Sequence, residues 1–112
     1  MKQLLITFLF VAVVLGCQKK ATDDPIPVAS FDITNYAEPG TVVEATALQF
    51  ENNSRNADSY EWDFGNGILS TERTPSGVMF RQCPRIETIR LTVRTRRGRT
   101  ATVVQSIRVR CR

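Results

Sequence analysis

Twelve arginines, eleven carboxylates, three cysteines and no histidine bound the side-chain chemistry of this 112-residue chain. The lack of histidine removes the usual general base and the commonest transition-metal ligand. Glu61 and Asp63 form a carboxylate pair of the kind glycosidases use, and on a strand they would share one face. Nothing suggests a cleft between them in so small a domain. There is no Ser-His-Asp set and no glycine-rich phosphate loop. Asp32, Asp58 and Asp63 are scattered, whereas calcium needs several clustered oxygens. The expectation is therefore a protein without catalytic activity, cofactor or metal. Arginine is the chemistry that stands out. Residues 81–112 hold ten arginines and one acid, Glu87, a balance of +9; residues 21–80 hold ten acids and two arginines, a balance of −8. Guanidinium groups bind carboxylate, sulfate or phosphate through two parallel hydrogen bonds. Arg90, Arg94, Arg96, Arg97, Arg99, Arg108 and Arg110 are the candidate anion- or partner-binding set.

The elements that must position these arginines read as strands. No stretch keeps an apolar period of 3.6 over several turns. Tyr60, Trp62 and Phe64 alternate with Glu61 and Asp63; Ile89, Leu91 and Val93 alternate with Arg90, Thr92 and Arg94. Val103, Ile107 and Val109 alternate mostly with polar residues, Arg108 and Arg110 among them. Turn signals recur at Pro39-Gly40, Gly65-Asn66-Gly67 and Pro75-Ser76-Gly77. Short alternating strands with frequent turns argue for an all-β sandwich.

Arg96-Arg97-Gly98 fits a three-residue hairpin loop, with Gly98 at the left-handed position. Thr95 then faces Arg99, and paired numbers sum to 194. Counting outward, Leu91 faces Val103, Glu87 faces Ile107 and Cys83 faces Cys111. A Cys83–Cys111 disulfide follows if no bulge intervenes. The same register puts Arg90, Arg94, Arg108 and Arg110 on the face opposite Ile89, Leu91 and Val93, with Arg96, Arg97 and Arg99 at the tip.

The first 17 residues, MKQLLITFLFVAVVLGC, resemble a bacterial lipoprotein signal. Lys2 is the positive start, Leu4 to Leu15 an apolar run of 12 residues, and Val14-Leu15-Gly16-Cys17 a lipobox. The run is shorter than the roughly 20 residues a membrane-spanning helix needs. The resemblance implies cleavage after residue 16 and acyl chains on Cys17. Residues 17–27 then read as lipidated cysteine and polar tether, and 28–112 as the domain. Cys83 and Cys111 remain as an even pair in an exported protein, where disulfides persist. Gln18 stands where some Gram-negative lipoproteins carry an aspartate that retains them at the inner membrane. The resemblance thus implies a lipid-anchored protein of the outer membrane, facing the periplasm or the cell surface.

Ser59-Tyr60-Glu61-Trp62-Asp63-Phe64-Gly65-Asn66-Gly67 resembles the signature of the PKD (polycystic kidney disease) repeat family, approximately Tyr-x-Trp-Asp-Phe-Gly-Asp-Gly. Tyr60, Trp62, Asp63, Phe64, Gly65 and Gly67 carry the match. Ala29-Ser30-Phe31, Leu48-x-Phe50, Ile89-x-Leu91-x-Val93 and Ile107-x-Val109 agree with the family's other strands. Asn66 replaces the usual acid of the turn, and Val78-Met79-Phe80 replaces a usual His-Thr-Tyr. The family implies an immunoglobulin-like sandwich of two antiparallel sheets and no catalytic site. It places the Trp62 strand beside the Leu91 strand, so Glu61 and Asp63 face Arg90 or Arg94.

Trp62 and its aromatic neighbours are expected in the core, and Asp63 in service of the turn. The leading expectation is a noncatalytic, membrane-anchored module that binds an envelope or extracellular protein through its arginines or an edge strand. A carbohydrate-binding module for cell-surface or extracellular polysaccharide, an acidic glycan among the candidates, and a structural accessory subunit of an outer-membrane complex are the alternatives. Nucleic acid is not expected as a partner of an exported protein.

Overall fold

The computed structural model describes residues 25–112. The signal resemblance, Cys17 and most of the tether lie outside the described residues. The described residues form seven strands: β1 (Phe31–Ile33), β2 (Thr41–Val43), β3 (Phe50–Asn52), β4 (Ser59–Asp63), β5 (Leu69–Ser70), β6 (Arg85–Arg94) and β7 (Thr100–Arg110). No helix among them is long and apolar enough to cross a membrane.

The strands build two layers. One is a five-stranded sheet in the order β2-β7-β6-β4-β5, and the other is the antiparallel pair β1-β3. Only the β2–β7 pairing is parallel, over Thr41 to Val43 against Arg108 to Arg110. The smaller layer is completed without regular strands. Val78-Met79-Phe80 forms no strand, yet Leu48 and Ala45 donate backbone N–H bonds to the carbonyls of Val78 and Phe80. This segment drops Val78 and Phe80 into the core.

Alternation decides which side chains face inward. Ile89, Leu91 and Val93 of β6, Ile107 and Val109 of β7, Trp62 of β4 and Val42 of β2 are buried from the large sheet. Phe31, Ile33 and Phe50 meet them from the small one. Four rings form the centre: Trp62 stacks on Phe64 at 5.7 Å, and Phe31 and Phe50 pack against Trp62 at 5.1 and 5.2 Å. The buried indole N–H of Trp62 donates to the Glu72 carbonyl at 2.9 Å, which ties the segment after β5 to the core. A buried indole needs such a partner, because an unmatched donor in the core costs about 1–3 kcal/mol.

The β6–β7 hairpin follows the register expected from the turn. Arg85 faces Val109, Leu91 faces Val103 and Arg94 faces Thr100, without a bulge. The loop closes through Thr95 N–H to the Arg99 carbonyl at 2.8 Å. Gly98 sits at φ +100°, a conformation that costs other residues strain. One step beyond the ladder, Cys83 and Cys111 are joined as a disulfide with Cα atoms 5.3 Å apart.

Candidate interaction surface on the hairpin

The arginines sit where the register expects them, but they do not form one continuous patch. Arg90, Arg94, Arg108 and Arg110 are exposed on the outer face of the large sheet. Arg94 stands beside the tip with Arg96, Arg97 and Arg99; Arg108 lies opposite Ile86, eight residues back along β6. At about 3.3 Å per residue, the two groups are roughly 26 Å apart. Arg90 lies between them and is engaged: its Nη1 is 3.9 Å from Oδ2 of Asp63, its direct cross-strand neighbour. Glu61 faces Thr92, between Arg90 and Arg94. At the other end, Arg110 pairs with Glu38 at 3.2 Å.

Beside the Arg90–Asp63 pair, the β7 side of the outer face between the arginine groups carries no charge. Thr92 and Thr102 share a hydroxyl hydrogen bond at 3.2 Å, and Thr88 and Ser106 meet at 3.5 Å. Ile86, Val104 and, on β5, Leu69 expose 63%, 49% and 68% of their surface.

The lateral edge of β7 is open over much of its length. Arg108 donates its N–H to the Gly40 carbonyl, and the Arg110 carbonyl accepts from Glu44, so both groups point away from β6. Residues of the same parity in an antiparallel strand share that direction. The N–H and C=O groups of Thr100, Thr102, Val104 and Ser106 therefore face outward. β2 covers only the last three residues of β7, and no other described strand lies on that side. Residues 100–106 contain no charge and no proline, the two usual blocks to edge pairing.

Asp63 serves the signature turn as expected: its Oδ1 accepts the Gly65 N–H at 2.9 Å. Trp62 and Phe64 are fully buried, and Tyr60 is half-buried against the core. Gly65 and Gly67 adopt φ of +81° and +78°. Asn66, the departure from the signature, donates its side-chain amide to Oε2 of Glu87 at 3.3 Å. Glu87 is buried and also lies 3.5 Å from Nε of Arg85. Its burial was readable in the sequence, since 87, 89, 91 and 93 share the inward parity of β6. Two adjoining open clefts, of about 320 and 440 Å³, flank this turn and share Ile68, Met79 and Arg81.

With the fold and the signature turn in place, solved structures supply the comparison. The PKD1 domain of Vibrio cholerae metalloprotease PrtV is 30% identical, with a TM-score of 0.59; the match covers 77% of this chain and 99% of that one. The chain belongs to the PKD domain family. The PKD1 domain of Vibrio anguillarum Epp is 27% identical over 80% of this chain and all of the other, with a TM-score of 0.60. A structure of carbohydrate-binding modules of the β-sandwich superfamily shares the fold at a TM-score of 0.66 and 23% identity, over 80% of this chain and 36% of that one. No protein-family model and no curated protein matches the chain. These neighbours are noncatalytic β-sandwich modules. Among the described residues, one group of metal-ligand types comes together. Glu44 lies within 4.8 Å of the sulfurs of Cys83 and Cys111, but those sulfurs are bonded to each other.

Proposed function

We propose that this PKD domain is a noncatalytic binding module, held at the outer membrane by lipid on Cys17, that takes an extended segment of an envelope protein along β7. The open edge of residues 100–106 carries this reading. It offers four outward N–H and C=O pairs in strand geometry, which is the recognition mode of β-strand addition. Arg99 and Arg108 bracket that edge. They favour a partner strand with acids at its ends. They oppose antiparallel pairing of two copies, which brings Arg99 of one toward Arg108 of the other.

A glycan platform finds less support. Stacking a sugar needs an exposed aromatic face, and Phe31, Phe50, Trp62, Phe64 and Phe80 are all buried. Tyr36 and Tyr60 are half-buried against the core.

The test is a pull-down of the tagged, lipidated protein from envelopes in mild detergent, at low and moderate salt. Two variants run beside it. Thr102→Pro removes one outward N–H without touching the β6 ladder, a change an edge strand tolerates. The second changes Arg90, Arg94, Arg108 and Arg110 to Glu. A protein retained by the wild type, lost by both variants and weakened by salt supports the reading. Capture that survives both variants places the contact elsewhere and overturns it.

A further inference from the structure

The tether and the arginine tip leave the domain at the same end. The carbonyl of Ile26 accepts from the Asn56 side chain at 2.9 Å. Val28 exchanges both backbone hydrogen bonds with Arg55 at 2.9 Å. Two residues past Asn56, Asp58 donates its N–H to the Arg94 carbonyl, and its Oδ2 accepts the Arg96 N–H at 2.6 Å. The chain therefore enters the sandwich beside the loop of the β6–β7 hairpin. The disulfide closes the opposite end, ten β6 residues away.

Five arginines collect at the tethered end: Arg55, Arg94, Arg96, Arg97 and Arg99, all exposed. Asp58 lies among them, its Oδ2 accepting the Arg96 N–H, and Glu61 stands across the sheet beside Arg94. Seven residues, 18–24, separate Cys17 from Pro25. Seven residues reach at most about 23–25 Å even when fully extended. Within that span Lys19 and Lys20 balance Asp23 and Asp24, so the tether adds no net charge.

We propose that the hairpin tip is a docking site for the phosphates of an anionic lipid surface, which holds the sandwich upright on the membrane. The proposal rests on the membrane-tethered reading above, because the tether brings the tip to the headgroups. Guanidinium forks match phosphate oxygens, and a basic cluster gains from an anionic surface only within about a Debye length, 8 Å at physiological salt. The tip alone among the charged groups of the hairpin meets that condition in an upright domain. Arg108 and Arg110 then face away from the membrane, where a protein partner is reached.

The first arm of the test uses the intact lipidated chain on vesicles of phosphatidylcholine alone. Failure to float with them removes the anchor, independently of the tip. The second arm uses the chain from residue 18 onward, which keeps every described residue and has no lipid. It is sedimented with phosphatidylcholine vesicles and with phosphatidylcholine–phosphatidylglycerol vesicles. The expected result is binding to the anionic vesicles only. Arg96→Gln/Arg97→Gln/Arg99→Gln, with an unchanged thermal transition, should lose about a hundredfold in binding. Inorganic phosphate should compete no better than sodium chloride of equal ionic strength; better competition means the tip takes free phosphate instead of a lipid surface. Equal binding to both vesicles, or equal binding by the triple variant, overturns the proposal.

Discussion

The side-chain amide of Asn66 and the buried carboxylate of Glu87 meet at 3.3 Å across 21 residues of sequence. The signature turn is thereby fastened to the inward face of β6. The family's usual acid at position 66 would instead set two carboxylates against each other in a partly dry site. Asn66→Asp should destabilise the domain by about 1–3 kcal/mol, read as a lower urea midpoint. Adding Glu87→Gln to that variant should recover much of the loss. Additive losses in the double variant would show that the two side chains do not interact.

Trp62 ties together three kinds of contact: ring stacking on Phe64, packing between the two sheets, and the indole bond to Glu72. Trp62→Ala should cost about 3–5 kcal/mol, enough to unfold a domain of this size at moderate temperature. Trp62→Phe keeps most of the packing and leaves the Glu72 carbonyl to water, so its loss should be clearly smaller. Circular dichroism during thermal unfolding separates the two.

Cys83 and Cys111 close a loop with a sequence separation of 28. In the chain-entropy account such a crosslink is worth about 3–4 kcal/mol. Cys83→Ser/Cys111→Ser, or treatment with a dithiol, should lower the denaturant midpoint accordingly and steepen the slope, because the uncrosslinked unfolded chain exposes more surface. Free thiols titrated in the unreduced, unfolded protein would contradict the bond.

Tyr36 donates its hydroxyl to Oε1 of Gln105 at 3.3 Å, and Gln105 in turn donates to the Phe31 carbonyl. Burial, and secondarily the charge of Asp32, raise the phenol above its ordinary value of 10.0. The folded state thus holds this proton more tightly than the unfolded chain. The resulting stability is complete below the ordinary value and is lost as pH rises through the raised one. Wild type should lose stability relative to Tyr36→Phe as the pH rises above the ordinary phenol value of 10.0. A constant difference through that rise would show that the phenol is not perturbed.

Much of the large sheet was legible because two signals agreed. The inward parity of Ile89, Leu91 and Val93 and the left-handed glycine of the tip fix one register, and that register delivers the cysteines to each other. The nonapeptide around Trp62 identified the strand beside it. The smaller layer was less legible, because its pieces are three-residue strands joined by irregular segments. Val78-Met79-Phe80 has the composition of a strand, yet it is held by isolated hydrogen bonds to Ala45 and Leu48. The arginines were placed correctly on the outer face, but their division into two groups follows from strand rise and not from residue type. The position of the tether beside the tip depends on the Val28–Arg55 bridge, a contact between segments with no periodic pattern of their own.

β7 lies between β2 and β6 in the large sheet, although six strands precede it in the chain. Until it is delivered, β2 has no neighbour in its sheet, and the inner side of β6 lacks the cover of Ile107 and Val109. Folding must wait for contacts between residues as distant as Thr41 and Arg108. A chain emerging vectorially, from a ribosome or a narrow channel, therefore cannot complete this sheet before Arg110 has emerged. The same short segment, residues 108–111, supplies both the partner of β2 and the second half of the Cys83–Cys111 bond, so one stretch of chain governs both closures.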